Sequence, residues 1–405
     1  MRCTVKDYLP SRASGLSKLN SIIPKIGEAY ASQRNYDLGK RKHTHVSMLS
    51  PWVRHRLILE EELIAAAIGS HGYQNSQKFI QEVFWRTYWK GWLELRPGIW
   101  DEYKKLRDEA ARNFKTDEGL QRAILGQTGI DCFDYWVREI QETNYLHNHA
   151  RMWFASIWIF TLALPWTLGA DFFLKHLLDG DPASNTLSWR WVAGLQTPGK
   201  IYLARAENIK KFTMGRFNPI GQLATVASPV FGMDPPIART IKTDPTPKVR
   251  LRTLLLITED DLALNDVNFL VDEIVALITL SSVQKRALGG AAEGVVKFAE
   301  SAIESATQSF NRRLGIPVES ISSKDLNAIC GLAQKYKAHQ IITLRTPVGP
   351  GRDLLKALGK LLTDKHINLI EITRPWDAES WPYATKGFFK FKEAIPSIIS
   401  KIGLL

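Results

Sequence analysis

The strings that could carry chemistry cluster between residues 79 and 191. In DGDPASN, Asp179, Asp181 and Asn185 put three oxygen-bearing side chains into one tight turn. Such a turn could ligate calcium, but it lacks the ligand count and the distal acid of an EF-hand loop. It could equally cap the helix that follows. In FIQEVFWRTYW, Glu82 and Trp85 stand about one helical turn apart, so a carboxyl group and a flat ring share one face and could bond and stack on the same planar ligand. A surface glutamate beside a packed tryptophan would give the same spacing. Arg86 follows directly. LHNHARM offers His147, Asn148, His149, Arg151 and Met152, and TLSWRW offers Trp189 and Trp191. Upstream, HTHVSMLSP sets Ser47 and Ser50 ahead of a helix start, where hydroxyls and backbone amides make an anion cradle. Cys3, Cys132 and Cys330 are too few and too scattered for a disulfide scaffold or a cysteine-rich zinc site. No metal centre is expected.

The elements that must position these groups change in kind along the chain. Ile58–Ile68, Gln77–Leu95, Tyr135–Ile140 and Asp171–Leu178 repeat apolar residues at helical spacing, the last stopped by Gly180. No strand pattern interrupts them, so this half is expected to be all-α. Met152 to Ala170 carries no charge and is just long enough to span a bilayer. Pro165 interrupts it, Ser156 and Thr161 dilute it, and Arg151 and Asp171 close it, which favours a helix buried inside a large helical domain. The start, MRCTVKDYLP, has no apolar run after its charge and so no secretion signal. A cytoplasmic protein without membrane attachment is the expectation. Five prolines between Gly221 and Lys248 mark a linker. Beyond it come a short apolar run (Leu251–Thr258), a helix (Val295–Leu314), then Gln340–Leu344, the loop TPVGPG, a helix (Arg352–Leu362) and Ile367–Thr373. Strand, loop, helix, strand is a β-α-β unit, so an open α/β sheet is expected. PVGPGRD with Arg352 suits a tight turn and helix cap, or else a phosphate.

Of the 405 residues 45% are apolar and 23% charged, which excludes global disorder. The net charge is +12, of which +9 falls before residue 250, together with eleven of the thirteen tryptophans. A basic, aromatic-rich half fits a polyanion held near planar rings, as in a nucleic acid or a nucleotide cofactor. It also fits a solvated basic surface over an aromatic core.

Taken together and in order, these strings resemble the flavin-binding catalytic domain of the DNA photolyase and cryptochrome family across roughly residues 20–220. The resemblance implies an all-helical FAD-binding domain (1–220), a Pro/Thr-rich linker (221–249) and an α/β Rossmann-like domain (250–405). TLLLITEDDLALNDVNF and ATKGFFKFKEAIPSI are similar to the opening and closing parts of the family's antenna domain, here in reversed order. By position, Tyr30, Ser47, Ser50, Arg86, Arg151, Asp179, Asp181 and Asn185 would hold FAD, with Asn185 at flavin N5. The implied substrate contacts are Glu82, Trp85, Asn148, Met152 and Trp191. Trp189 and Trp166 match two members of the family's electron relay, and no tryptophan stands near Asn113 for the third. Thr87 stands where the family usually has an acid, and Val46 and Met48 replace a threonine and an arginine of its diphosphate loop. The phosphate-binding charge must then come from elsewhere. Enzymes for the six-four lesion place histidines where this chain has Asn148 and Met152. The expected activity is therefore light-driven splitting of cyclobutane pyrimidine dimers, as a deoxyribodipyrimidine photolyase acting as a monomer on UV-damaged DNA without sequence preference. No antenna chromophore is assigned. The alternatives are a cryptochrome-like photoreceptor without repair activity and a plain nucleic-acid-binding helical protein.

Overall fold

The computed structural model describes residues 8–405 apart from 233, 242–247, 267–272 and 313. Cys3, Pro245, Pro247 and the end of the string resembling an antenna-domain start lie outside the described residues. The first half is built from helices α1 (Arg12–Ile22), α2 (Glu28–Gln33), α3 (Ser50–Arg54), α4 (Glu60–Glu94), α5 (Gly98–Asn113) and α6 (Glu118–Leu125). There follow α7 (Asp131–Thr143), α8 (Asn148–Ser156), α9 (Trp166–His176), α10 (Pro182–Val192) and α11 (Ala206–Phe212). Helix α4 consists of two helical segments, as the sequence divides it, meeting at a kink. It runs 35 residues, with non-helical backbone at Gly72 (φ 69°), a conformation glycine adopts without steric penalty. Conversely, the uncharged stretch from Met152 is not one helix. It ends α8, passes through a π turn (Ile157–Thr161), breaks before Pro165 and restarts as α9, because proline lacks the N–H a continuous helix needs. No described helix is long and apolar enough to cross a membrane.

The second half alternates β1 (Thr253–Thr258), β2 (Ile274–Leu280), α12 (Glu293–Asn311), β3 (Val318–Ile321), α13 (Asn327–Lys335), β4 (Gln340–Leu344), α14 (Pro350–Thr363) and β5 (Asn368–Ile372). Helices α15 (Pro375–Ser380), α16 (Phe388–Lys392) and α17 (Ile395–Lys401) close the chain. The strands pair in parallel in the order β3-β2-β1-β4-β5. All of β1 is buried, as suits the centre of a parallel sheet covered on both faces. Leu254 and Leu256 join a core with Leu355 and Leu358 of α14, whereas Leu255 and Ile257 join the core shared with the helical half. The fold is thus a helical domain joined to an open α/β sheet.

The two halves meet along α4 and the carboxyl ends of β1 and β4. Trp376 of α15 stacks on Phe84 at 4.8 Å and donates its indole N–H to Thr87. Arg56 bonds Asp261 and Asp377, Arg374 also bonds Asp261, and Arg54 pairs with Asp260 at 2.8 Å. The TPVGPG loop is spoken for by this chain's own groups: Val348 N–H donates to the Glu94 carboxylate at 2.6 Å, and Arg352 pairs with Glu371.

Candidate functional site

A cavity of about 470 Å³ opens where α4, α8, α9 and α10 converge. Each wall follows from local sequence. Asp181 accepts the Ser184 N–H at 2.8 Å, and Pro182 occupies the first turn, so the DGDP turn ends abruptly and α10 starts with its side chains aimed inward. His147 caps α8 in the same way through its Nδ1.

Glu82, Trp85 and Arg86 line the cavity from α4, Asn148, Arg151 and Met152 from α8, and Asn185, Trp189 and Trp191 from α10. Ser50 at the start of α3, and Asp179 and Asp181 from the α9–α10 connection, complete it. The five expected substrate contacts and six of the eight expected flavin contacts therefore share one space. Tyr30 and Ser47 lie outside it: Tyr30 packs edge-on against Phe79, and the Ser47 hydroxyl accepts the Leu49 N–H. Trp166 is buried in α9 against Tyr103, at 5.8 Å between ring centres. Arg34, which with Tyr30 fits the family's upstream tyrosine motif, borders the cavity, as do Asn35, Trp89 and Ser184, which carry no sequence signal of their own. Arg34 and Asn35 come from the segment after α2, and the signal for them was nearby: their carbonyls bond the rings of His147 and His149 at 3.0 Å. Those histidines thus anchor a wall and stay out of the cavity. Burial drives the His147 imidazole down to about 3 and lowers that of His149, so both remain neutral.

The charges are ordered. Arg151 pairs with Asp179 at 2.9 Å, and Arg54 and Arg86 lie within 4 Å of Asp181. Burial alone would raise both carboxyl groups. Arg151 and Arg86 reverse this for Asp179, and Lys90, Arg54 and Arg86 hold Asp181 down to about 2. Glu82 is the opposite case. Burial raises its carboxyl, and Arg34, at 3.5 Å, together with Lys78 only partly restrains the rise. The two aromatic walls are each backed by another ring, Trp85 by Phe388 (3.6 Å, 12° between planes) and Trp191 by Tyr202 (5.4 Å).

Three buried polar atoms on the lining residues make no hydrogen bond: Arg86 Nη1, Ser184 Oγ and Trp189 Nε1. Buried polar groups are rarely left so, and here they fit a ligand with several acceptor atoms. Asn185 gives one amide N–H to the Ala170 carbonyl, which leaves its oxygen and its second N–H for other partners. A second cavity of about 560 Å³, sharing the Tyr145 wall, is lined by Lys18, Lys25, Arg41, Val46 and Met48. Its lysines are cations close to the loop that lacks an arginine. Asp37, His43 and Glu139 lie close enough to hold a metal ion, yet Arg216 at 3.0 Å from Asp37 already supplies a cation there.

Around Trp189, the rings of Phe173 (5.1 Å) and Trp158 (6.3 Å) are the nearer neighbours. At the third relay position Asn113 ends α5, followed by a partly buried Phe114.

Residues 79–224 match the family described as the FAD binding domain of DNA photolyase. Similar curated proteins are deoxyribodipyrimidine photo-lyases from Streptomyces griseus (33% identical over 153 residues, 37% of this chain and 32% of that one) and Synechococcus (28% over 214 residues, 50% and 43%). A third, from Thermus thermophilus, is 30% identical over 194 residues, 48% of this chain and 45% of that one. The chain spans about a third to a little under half the length of these relatives. Among solved structures it is similar to a class III photolyase from Agrobacterium tumefaciens (TM-score 0.44, 24% identity, covering 51% of this chain and 44% of that one). It is also similar to a Synechocystis cryptochrome (TM-score 0.42, 20% identity, 50% and 43%). Through its helical half, the chain is similar to the photolyase and cryptochrome family.

Proposed function

We propose that this protein splits cyclobutane pyrimidine dimers in DNA with light, using a non-covalent FAD. The observation that carries the reading is the convergence of Glu82, Trp85, Asn148, Met152 and Trp191 on the cavity that also holds Arg151, Asp179 and Asn185. A reduced flavin bound there supplies an electron on excitation. The rest falls to the chain. The Arg151–Asp179 pair and Asn185 orient the ring system, while Arg86 Nη1 and Ser184 Oγ, which make no hydrogen bond among the described residues, gain acceptors. Lys18, Lys25 and Arg41 in the adjoining cavity provide the cations that the altered loop lacks, within reach of a diphosphate. Trp85 and Trp191 stack on the flipped lesion, their outer faces fixed by Phe388 and Tyr202. Flipping is cheap because a dimer stacks poorly. Glu82, its carboxyl raised by burial, donates in its protonated form to a pyrimidine carbonyl as negative charge develops there, and Asn148 assists. Residues 1–220 form the catalytic domain and 250–405 the second domain, joined by 221–249.

The test gives reduced protein ultraviolet-irradiated oligo-dT and blue light, and follows recovery of the pyrimidine absorbance. Recovery is expected, and Glu82→Ala should slow it roughly tenfold or more, the scale of a hydrogen bond to a developing charge. A yellow protein whose flavin photoreduces without any recovery would favour a photoreceptor instead.

A further inference from the structure

The segment just before and within α16 is fixed to the wall of the cavity on one side and open to solvent on the other. Phe388 stacks on Trp85, the Tyr88 hydroxyl donates to the Lys386 carbonyl at 2.9 Å, and Arg96 donates to the Thr385 carbonyl at 2.6 Å. Phe388 and Phe391 are buried, so the backbone here is held as firmly as the core. Between them Phe389 is 83% exposed. Lys386 and Lys390 are exposed, Lys392 is half-buried, and no acid occurs from Thr385 to Lys392. Lys390 has one partner, Glu393, on the surface, where a competing anion can replace it.

A solvent-facing phenylalanine among three lysines thus follows directly on Phe388, the ring stacked on cavity-lining Trp85. Exposed aromatic surface ringed by cations does fit a nucleic acid strand, whose phosphates and planar bases alternate. Lys78, exposed on α4 and close enough to act on Glu82, adds positive charge beside the cavity. We propose that Lys386, Phe389, Lys390 and Lys392 form a DNA-backbone clamp beside the lesion pocket, so that the α/β half grips the strand flanking the flipped dimer. This rests on the repair reading above.

The experiment measures affinity for dimer-containing and undamaged duplexes across a salt series. Each neutralised phosphate contributes about 0.9 to the slope of log affinity against log salt. The triple variant Lys386→Gln, Lys390→Gln, Lys392→Gln should lose roughly 2 to 3 of that slope on both duplexes. A triple variant on the far side of the sheet, Lys324→Gln, Lys337→Gln, Lys365→Gln, should lose none. Phe389→Ala should weaken single-strand binding about fivefold or more, as the loss of one stacked base does. Flavin content and thermal midpoint identify any variant that merely misfolds, and Phe389→Ala, which removes no charge, is the second probe. A slope unchanged in the α16 triple variant, or reduced equally in both triples, overturns the clamp and leaves repair standing. A wild-type chain that binds no DNA overturns the repair reading and the clamp together.

Discussion

Glu82 is the residue whose chemistry depends most on where the fold puts it. Its carboxyl is raised because the cavity wall strips it of water, against the pull of Arg34 and Lys78. The protonated form is the one that can donate to a pyrimidine carbonyl, so activity should be full at pH below that raised value and fall as pH climbs through it. Glu82→Gln, a permanent donor of the same shape, should keep much of the rate and flatten the alkaline limb. A wild-type limb that persists in the Gln variant would assign the titration to another group. The neighbouring histidines show what sequence alone leaves open. Asn148 faces the cavity while His147 and His149 turn away to hold the Arg34–Asn35 segment, and only the orientation of α8 decides which of three adjacent polar residues points inward. The DGDPASN turn was far more legible, because a capping aspartate followed by proline fixes a helix start locally.

At the scale of elements, the close approach of α9 and α10 sets the position of Trp189. Gly169 makes it possible: a Cβ there would overlap the Trp189 ring and come within 3.0 Å of Trp158. In an isolated helix, glycine to alanine gains about 0.5–1 kcal/mol. Here overpacking, at roughly 1–3 kcal/mol, outweighs it. Gly169→Ala should therefore lower the urea midpoint even though alanine is the better helix former, and should slow flavin photoreduction by displacing Trp189. Trp189→Phe should slow photoreduction while sparing repair by chemically reduced protein, and equal photoreduction in the two proteins would remove Trp189 from the relay. Periodicity located these helices but missed one joint. The α4 pattern reads as two helices, and the backbone does kink at Gly72 between them, whereas the stretch around Pro165 reads as one because its burial hides the break. Apolar period reports which face is covered, and it is silent on a backbone detour between two buried turns.

Across the whole molecule, the α/β half serves as a buttress for the site. The crevice at the carboxyl ends of β1 and β4, the switch point where open α/β sheets commonly take a ligand, is filled by the helical half: Arg54 on Asp260, Arg56 on Asp261, and Glu94 on the Val348 amide. These pairs join residues some 200 to 250 positions apart, Trp85 and Phe388 lie farther apart still, and no local pattern announces them. Thr87 illustrates the point. In the sequence it departs from the family pattern; in the fold its hydroxyl receives the Trp376 indole. Asp261 is the centre of the joint, bonded by Arg374 at 2.6 Å and Arg56 at 3.0 Å. Burial alone would raise its carboxyl, and the two guanidinium groups hold it down to about 2. A folded value below the unfolded one means stabilisation present above about pH 4 and lost as pH falls toward 2. Asp261→Asn leaves two buried cations with one partner fewer, at a cost of about 3–5 kcal/mol. Because eleven tryptophans report on the helical half and the remaining two, Trp376 and Trp381, are buried where the halves meet, fluorescence should follow the helical half while far-ultraviolet circular dichroism follows both. If the joint couples them, Asp261→Asn should shift both denaturation curves together and blunt the acid-induced loss of stability. A dichroism shift without a fluorescence shift would mean that the halves unfold independently and that the buttress does not hold the site.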